Sequence, residues 1–363
     1  MRRVLLVMVV FGVGCGTPAV RPDGGGADVD AGDPDGGEDG GDGGGAEDAG
    51  ADAGSPDASV PDDAGSDGGL ADGGAPDSGM PDAGPSDAGY DDAGCMLPDL
   101  SGPAFRLRAV AANLSSGNAQ SYDPGHGQRI LQGLQPDLVM IQEFNYGTNS
   151  VADVSSFVSA TFDGGYSYVR GVGQIPNGVI SRWPIVASGE WVDPQVGNRR
   201  FTWAKVDLPG PRDVWVVSLH LLTSNAGDRN LEAQALVADL ATGVPAGDFL
   251  LVGGDFNTDT RTEAALSTLS SRVITAAPFP ADQQGVDGTN ASRSKPYDWV
   301  LASRCLKPSQ VPVAIGAGSY AAGLVVDTRV YTPIGDLAPA LSTDSAAPSM
   351  QHMAVVKDFT IQP

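Results

Sequence analysis

The chain has 363 residues and a formal net charge of −24, which allows one large domain or two ordinary ones. The charge is concentrated: residues 21–94 hold 21 Asp or Glu against one Arg, whereas residues 95–363 hold 24 acidic and 18 basic side chains. The bulk acidity therefore excludes no class of partner for the second part, because a locally positive cleft on a mildly acidic domain can still take a polyanion.

The N-terminus reads "MRRVLLVMVVFGVGCG". Two arginines precede an apolar run, Val4 to Val13, that is too short for a stable bilayer-spanning helix and has the form of an export signal. Val13-Gly14-Cys15 resembles the cleavage box of bacterial lipoproteins. That resemblance implies a signal peptide over 1–15, acylation of Cys15, and attachment to the membrane through that lipid alone. Gly16, where inner-membrane retention often uses Asp, favours the outer membrane or cell surface. Residues 16–94 are almost entirely Asp, Gly, Ala, Pro and Ser, with Asp-Ala-Gly recurring seven times. Such a segment buries too little apolar surface to offset its ordering entropy and is expected to be an extended, disordered tether. Calcium-binding β-roll repeats are the alternative, but the spacing is irregular and the regular large aliphatic residue is missing.

At Cys95 the composition changes, and residues 95–363 read as one domain. With Cys15 lipidated, Cys95 and Cys305 remain, and outside the cytoplasm such a pair tends to be oxidised. The pattern predicts a strand over 105–114 (FRLRAVAANL), where Phe105, Leu107 and Ala109 alternate with Arg106 and Arg108. A short helix follows in HGQRILQGLQP, with Ile130, Leu131 and Leu134 on one face and Pro136 ending it. DLVMIQE reads as a buried strand and SVADVSSFVSATF as a helix. Strands are expected at YSYVRG, NGVISRW, FTWAKVDL and DVWVVSLHL, with Tyr166, Tyr168, Trp183, Trp191 and Trp203 as sheet core. GDRNLEAQALVADLAT is an amphipathic helix, read with Leu231, Ala235 and Ala238 on its apolar face. The strand DFLLVGGDF, a short helix around 262–270, and strands at YDWVLAS and HMAVVKDFTI complete the pattern. Helices falling between strands indicate an α/β layered sandwich with mixed sheets.

Polar, chemically capable residues stand at the ends of these strands: Asn113, Glu143, His220, Asp255, Asn257, Asp298 and His352. Strand ends are also where chains meet water, so any one of these has a structural explanation. Seven together, including two of only three histidines, point to a site.

The ordered set AANLSSG, LVMIQEF, NGVISRWPI, SLHL, GGDFN, YDWVLAS and QHMAVVKDF, spanning nearly all of 105–361, resembles the endonuclease/exonuclease/phosphatase superfamily of DNase I-like nucleases, sphingomyelinases and phosphatases. The resemblance implies a four-layer α/β sandwich of two packed mixed β-sheets with the site at one edge. It implies a metal-dependent hydrolase of phosphate esters, with Mg²⁺ as cofactor and Mn²⁺ or Ca²⁺ as alternatives. Glu143 would be the main metal ligand, with Asn113 beside it. Asp255 would orient and deprotonate the attacking water, and Asn257 would hold the phosphate or that aspartate. His220 and His352 would bond phosphoryl oxygens, and Asp298 would fix the His352 ring. Arg182, within ISRWPI, is expected near the cleft without a catalytic role. One position departs: the family's closing Ser-Asp-His is here Met-Gln-His, so Gln351 replaces a metal-site carboxylate. An amide carbonyl can coordinate Mg²⁺ without the charge, and Asp344 is a carboxylate nearby in sequence. The partner expected is a phosphate ester, nucleic acid ahead of lipid, acted on by a monomer. A non-catalytic binding module is the reading from another class.

Overall fold

The computed structural model describes residues 94–95 and 102–362. The expected leader, Cys15 and the expected tether up to residue 93 lie outside the described residues. The alternating and then continuous apolar run at 105–112 forms β1 (Phe105–Ala112). In chain order follow α1 (His126–Leu134), β2 (Leu138–Ile141), α2 (Val151–Thr161), β3 (Ser167–Arg170), β4 (Gly178–Ser181), β5 (Ile185–Trp191), β6 (Phe201–Val206) and β7 (Val214–His220). Next come α3 (Ala226–Gly243), β8 (Phe249–Asp255), α4 (Ala264–Leu269) and β9 (Asp298–Ala302). Four short strands, β10 (Gln310–Val311), β11 (Val313–Ile315), β12 (Gly318–Tyr320) and β13 (Leu324–Val326), precede β14 (Ala354–Ile361). The short ones are two or three residues long, below the length at which alternation can be read.

The first sheet runs β10-β14-β1-β2-β4-β3, with β13 also on β14, and the second runs β5-β6-β7-β8-β9. Both are mixed: β1 is parallel to β2 but antiparallel to β14, and β7 is parallel to β8 but antiparallel to β6. Leu107, Ala109, Met140, Val216, Leu251 and Val355 pack between the sheets. Helices α1 and α2 cover the outer face of the first sheet through Ile130, Leu131, Leu134 and Phe157. Helices α3 and α4 cover the second through Leu236, Leu240, Leu266 and Leu269. The architecture is therefore the four-layer α/β sandwich, and the five aromatics singled out above are partly buried against these three cores.

Three expectations need correction. The buried stripe of α3 is Arg229, Glu232, Ala233, Leu236 and Leu240, while Leu231 is 47 % exposed. Charges can occupy that stripe because they are paired: Arg229 bonds Glu263 at 2.9 and 2.8 Å and Asp259 at 2.8 Å. Arg108, expected on a polar face, is buried and forms a two-bond ion pair with its cross-strand neighbour Asp358 at 2.8 and 2.7 Å. The last strand begins at Ala354, and His352 instead forms an isolated bridge with Asn290. Cys95 and Cys305 are disulfide-bonded, with Cα atoms 5.3 Å apart, closing a loop of 210 residues.

Candidate active site

Strand register assembles the site. His220, Asp255 and Asp298 are direct neighbours across β7, β8 and β9, and in-register residues on adjacent strands project to one side. From the first sheet, the chain leaving β1 supplies Asn113, the chain leaving β2 supplies Glu143, and the approach to β14 supplies His352. All six are buried.

Two local features let the sheets meet here. Gly254 has φ +131°, and a Cβ on it would lie 2.2 Å from Leu219 O and 2.5 Å from Gln142 Nε2, so only glycine fits. Gln142 Nε2 donates to Ser218 Oγ at 2.8 Å, and Ser218 donates to Ile141 O at 2.9 Å, which stitches β2 to β7 under the site. Glu143 and Asn257 adopt φ of +50° and +49°, conformations that cost non-glycine residues energy and recur at functional positions.

The centre is Asp255. Its Oδ2 lies 3.1 Å from Asn113 Nδ2, 3.2 Å from His220 Nε2 and 3.4 Å from His352 Nε2, and its Oδ1 accepts the Asn257 backbone N–H at 2.9 Å. His352 reaches Asp298 Oδ2 through Nδ1 at 3.0 Å. Asp298 in turn donates its backbone N–H to Thr289 Oγ1 at 2.7 Å, and the carbonyl of Thr289 accepts from Met353 N at 2.7 Å. Glu143 accepts from Asn113 Nδ2 at 3.2 Å and from Ser115 Oγ. Asn257 turns its side-chain amide to Leu221 O at 2.9 Å, so its contact with the aspartate is through the backbone.

Burial sets the electrostatics. It raises the pKa of Glu143, Asp255 and Asp298, because desolvation penalises each carboxylate more than its donors compensate. It pushes His220 well down, helped by Arg199 and His352. Burial would lower His352 too, but Asp255, Asp298 and Glu143 together carry it up to about 10. Burial thus disfavours charge on His220, while the surrounding carboxylates favour it on His352.

Behind His220 lies a support the sequence did not signal. Arg199, fully buried, donates to His220 O at 2.6 Å and Leu221 O at 3.1 Å. Glu232 on α3 accepts Leu222 N through both oxygens, at 3.1 and 2.9 Å, and is hydrogen-bonded to buried Asp193. Burial, with the Asp193 carboxylate alongside, raises Glu232 to about 9. Ser115, inside the AANLSSG motif, was also not assigned a role. The adjacent Ser116 holds His126, the third histidine, at 2.9 Å.

Other expected positions lie elsewhere. Gln351 is exposed and makes no side-chain hydrogen bond with a described residue. Asp344 is committed to Arg129 at 2.5 Å and to Leu341 N, and so does not reach in. Arg182 pairs with Asp137 at 3.1 Å, at the end of β2 opposite Glu143, and so is not near the cleft.

Two groupings could take a cation. Asp255, Asp298 and His352 offer ligand atoms within 4.8 Å of one another, but the imidazole already bridges both carboxylates through its two nitrogens. Glu143 and Asn113 fit a hard cation better. The buried Asn113 Oδ1 has no hydrogen-bond partner among the described residues and adjoins a desolvated carboxylate, an oxygen set of the kind Mg²⁺ takes alongside waters.

Packed mixed sheets with such a cluster at one edge define a phosphoesterase- or nuclease-like fold. The chain belongs to the Endonuclease/Exonuclease/phosphatase family, whose sequence profile matches residues 97–331. No curated protein matches the chain in sequence. Similar solved structures include an endonuclease/exonuclease/phosphatase from Beutenbergia cavernae (19 % identity, TM-score 0.47, covering 70 % of this chain and 72 % of that one). A functionally unknown conserved protein from Enterococcus faecalis is similar at 13 % identity (TM-score 0.49, 71 % and 100 % covered). The beta toxin of Staphylococcus aureus is similar at 13 % (TM-score 0.45, 69 % and 99 %). Likenesses of this size carry no argument about substrate.

Proposed function

We propose that the chain is an exported, lipid-anchored, Mg²⁺-dependent phosphodiesterase acting on nucleic acid. In this reading 1–15 is the lipoprotein signal ending at Cys15, 16–94 the tether and 95–363 a monomeric catalytic domain at the outer membrane or cell surface. The observation that carries the catalytic part is the convergence of Asn113, His220 and His352 on Asp255 Oδ2, with Glu143 alongside. Glu143 and Asn113 would hold the cation, which when bound offsets charge accumulating on the phosphoryl oxygens. Asp255 accepts the proton of the attacking water, its other oxygen pinned by Asn257 N–H. His220 and His352 present Nε2 to the phosphoryl oxygens, and Asp298 keeps the His352 ring in place. Gln351 is exposed and uncharged, so metal affinity should be lower than with a second carboxylate in the site. A nucleic-acid substrate is favoured over lipid because the large apolar side chains exposed among the described residues are all scattered aliphatics, with no aromatic among them.

The test is hydrolysis by the full chain of plasmid DNA, RNA, bis-p-nitrophenyl phosphate and sphingomyelin, with EDTA and after Mg²⁺ readdition. Cleavage of DNA or RNA that EDTA abolishes and Mg²⁺ restores is expected. Turnover of sphingomyelin alone would reassign the substrate, and no metal-dependent turnover at all would favour the binding module. Labelling with radioactive palmitate, lost in Cys15→Ala, tests the anchor.

A further inference from the structure

Strands β1, β2 and β3 run in one direction: β1 is parallel to β2, and β4 is antiparallel to both β2 and β3. All three therefore deliver their last residues to the sheet edge that carries Asn113 and Glu143. Register fixes the level, because Gly178 of β4 faces Ile141 on one side and Arg170 on the other. Arg170, the last residue of β3, thus stands two strands out from β2, about 10 Å away. It sits at the height at which the chain leaves β2 for Glu143.

Its guanidinium turns back toward that residue. Nε donates to the carbonyl of Phe144, the neighbour of Glu143, at 2.6 Å, and Nη2 donates to Asn145 Oδ1 at 2.9 Å. Asn145 is itself pinned from two loops, since its Nδ2 donates to Gln174 O at 3.0 Å and its carbonyl accepts from Tyr122 N at 2.8 Å. The fork is therefore oriented before any ligand arrives, which lowers the entropic cost of binding one.

What the fork lacks is an anion. Arg170 forms no ion pair with any described residue, and its Nη1 has no hydrogen-bond partner among them. Glu190, a carboxylate beside the following residue, Gly171, is engaged instead by Val172 N–H at 2.9 Å. Burial lowers the Arg170 pKa without a carboxylate to hold it up, yet a guanidinium stays charged. The side chain is only partly buried, so a ligand can reach it. Arg200, exposed and likewise without an ion pair among the described residues, is tied to the same corner. Asn177 accepts Gly171 N–H at 2.8 Å and donates its Nδ2 to Arg200 O at 2.7 Å. A planar fork with only neutral acceptors on it matches a phosphate group. It lies on the Glu143 side of the cluster, beyond the position that Asp255, His220 and His352 give to the reacting group.

We propose that Arg170 binds a phosphate flanking the scissile one in a nucleic-acid strand, with Arg200 adding to the positive potential beside it. The inference rests on the nucleic-acid reading above and makes a polymer, not an isolated diester, the preferred substrate.

The probe is an end-labelled oligonucleotide, DNA or RNA, in which one linkage is a neutral methylphosphonate, digested by the full chain with Mg²⁺. The ladder of products is compared with that of the unmodified strand. The wild type should leave a gap at the neutral linkage and cut a neighbouring linkage, on one side only, at least threefold less. Arg170→Gln should abolish that one-sided effect, and Arg170→Lys, which keeps the charge, should retain it; a purely structural role would give both variants the wild-type pattern. A gap confined to the neutral linkage in the wild type, or a neighbour effect that persists in Arg170→Gln, would overturn the proposal while leaving the nuclease reading intact. Failure to cut either unmodified strand would remove both. The wild-type ladder keeps the proposal refutable even if a variant fails to fold.

Discussion

Glu232→Gln isolates the buried proton behind His220. Gln keeps the shape, can still accept from Leu222 N, and can donate to Asp193, but it carries no titratable proton. In the wild type the folded-state pKa of Glu232 is raised from 4.5 to about 9. The stability it contributes is therefore fully present below pH 4.5 and is lost as pH rises through about 9. At 1.36 kcal/mol per unit the ceiling is about 6 kcal/mol. Relaxation and water entry reduce such penalties, so about 2–3 kcal/mol is expected, or ~4–9 °C in Tm for a domain of this size. The assay is calorimetric Tm between pH 5 and pH 9 for both proteins, taken as the difference between them so that other titrations cancel. The variant should match the wild type at pH 5 and exceed it by that margin at pH 9. Parallel curves would refute the raised pKa of Glu232.

Gly254→Ala forces a Cβ to 2.2 Å from Leu219 O at φ +131°. It should cost ~4 kcal/mol, seen as a large fall in Tm; a fall of under 2 °C would mean that the sheets can part there. Replacing Cys95 and Cys305 by Ser frees a 210-residue loop, worth about 5 kcal/mol on loop-closure entropy. The Tm should fall by 10 °C or more, and reductant should no longer affect it. Asp298→Asn leaves His352 Nδ1 without its carboxylate acceptor. It should lower kcat ~100-fold with KM changed less than threefold, and unchanged kcat would remove Asp298 from the mechanism.

What could be read in advance followed from periodicity and position. Strands with continuous apolar runs, such as LVMI and FLLVGGD, announce themselves, and polar residues at strand ends meet in the candidate site because register aligns His220, Asp255 and Asp298. What escaped was polar burial. Arg199 looks like a loop arginine, yet its guanidinium caps two carbonyls in the interior. The α3 stripe was misplaced because Arg229 and Glu232 sit in it, and their partners Glu263 and Asp193 lie more than thirty residues away in sequence. The buried Lys357 escaped likewise, because a lysine in a strand reads as an outward residue.

The bond between Cys95 and Cys305 also determines how mechanical load enters the domain. Tension on any segment preceding Cys95 divides at that residue. Part passes along the chain to β1 in the first sheet, and part crosses the sulfurs to the segment after β9 in the second. A pull from the N-terminal side therefore engages both sheets together, so β1 is not peeled singly from its neighbours β14 and β2. Reduction would remove the shunt and leave β1 to take the whole force, which makes the disulfide the domain's strain relief at the end where a tether would act.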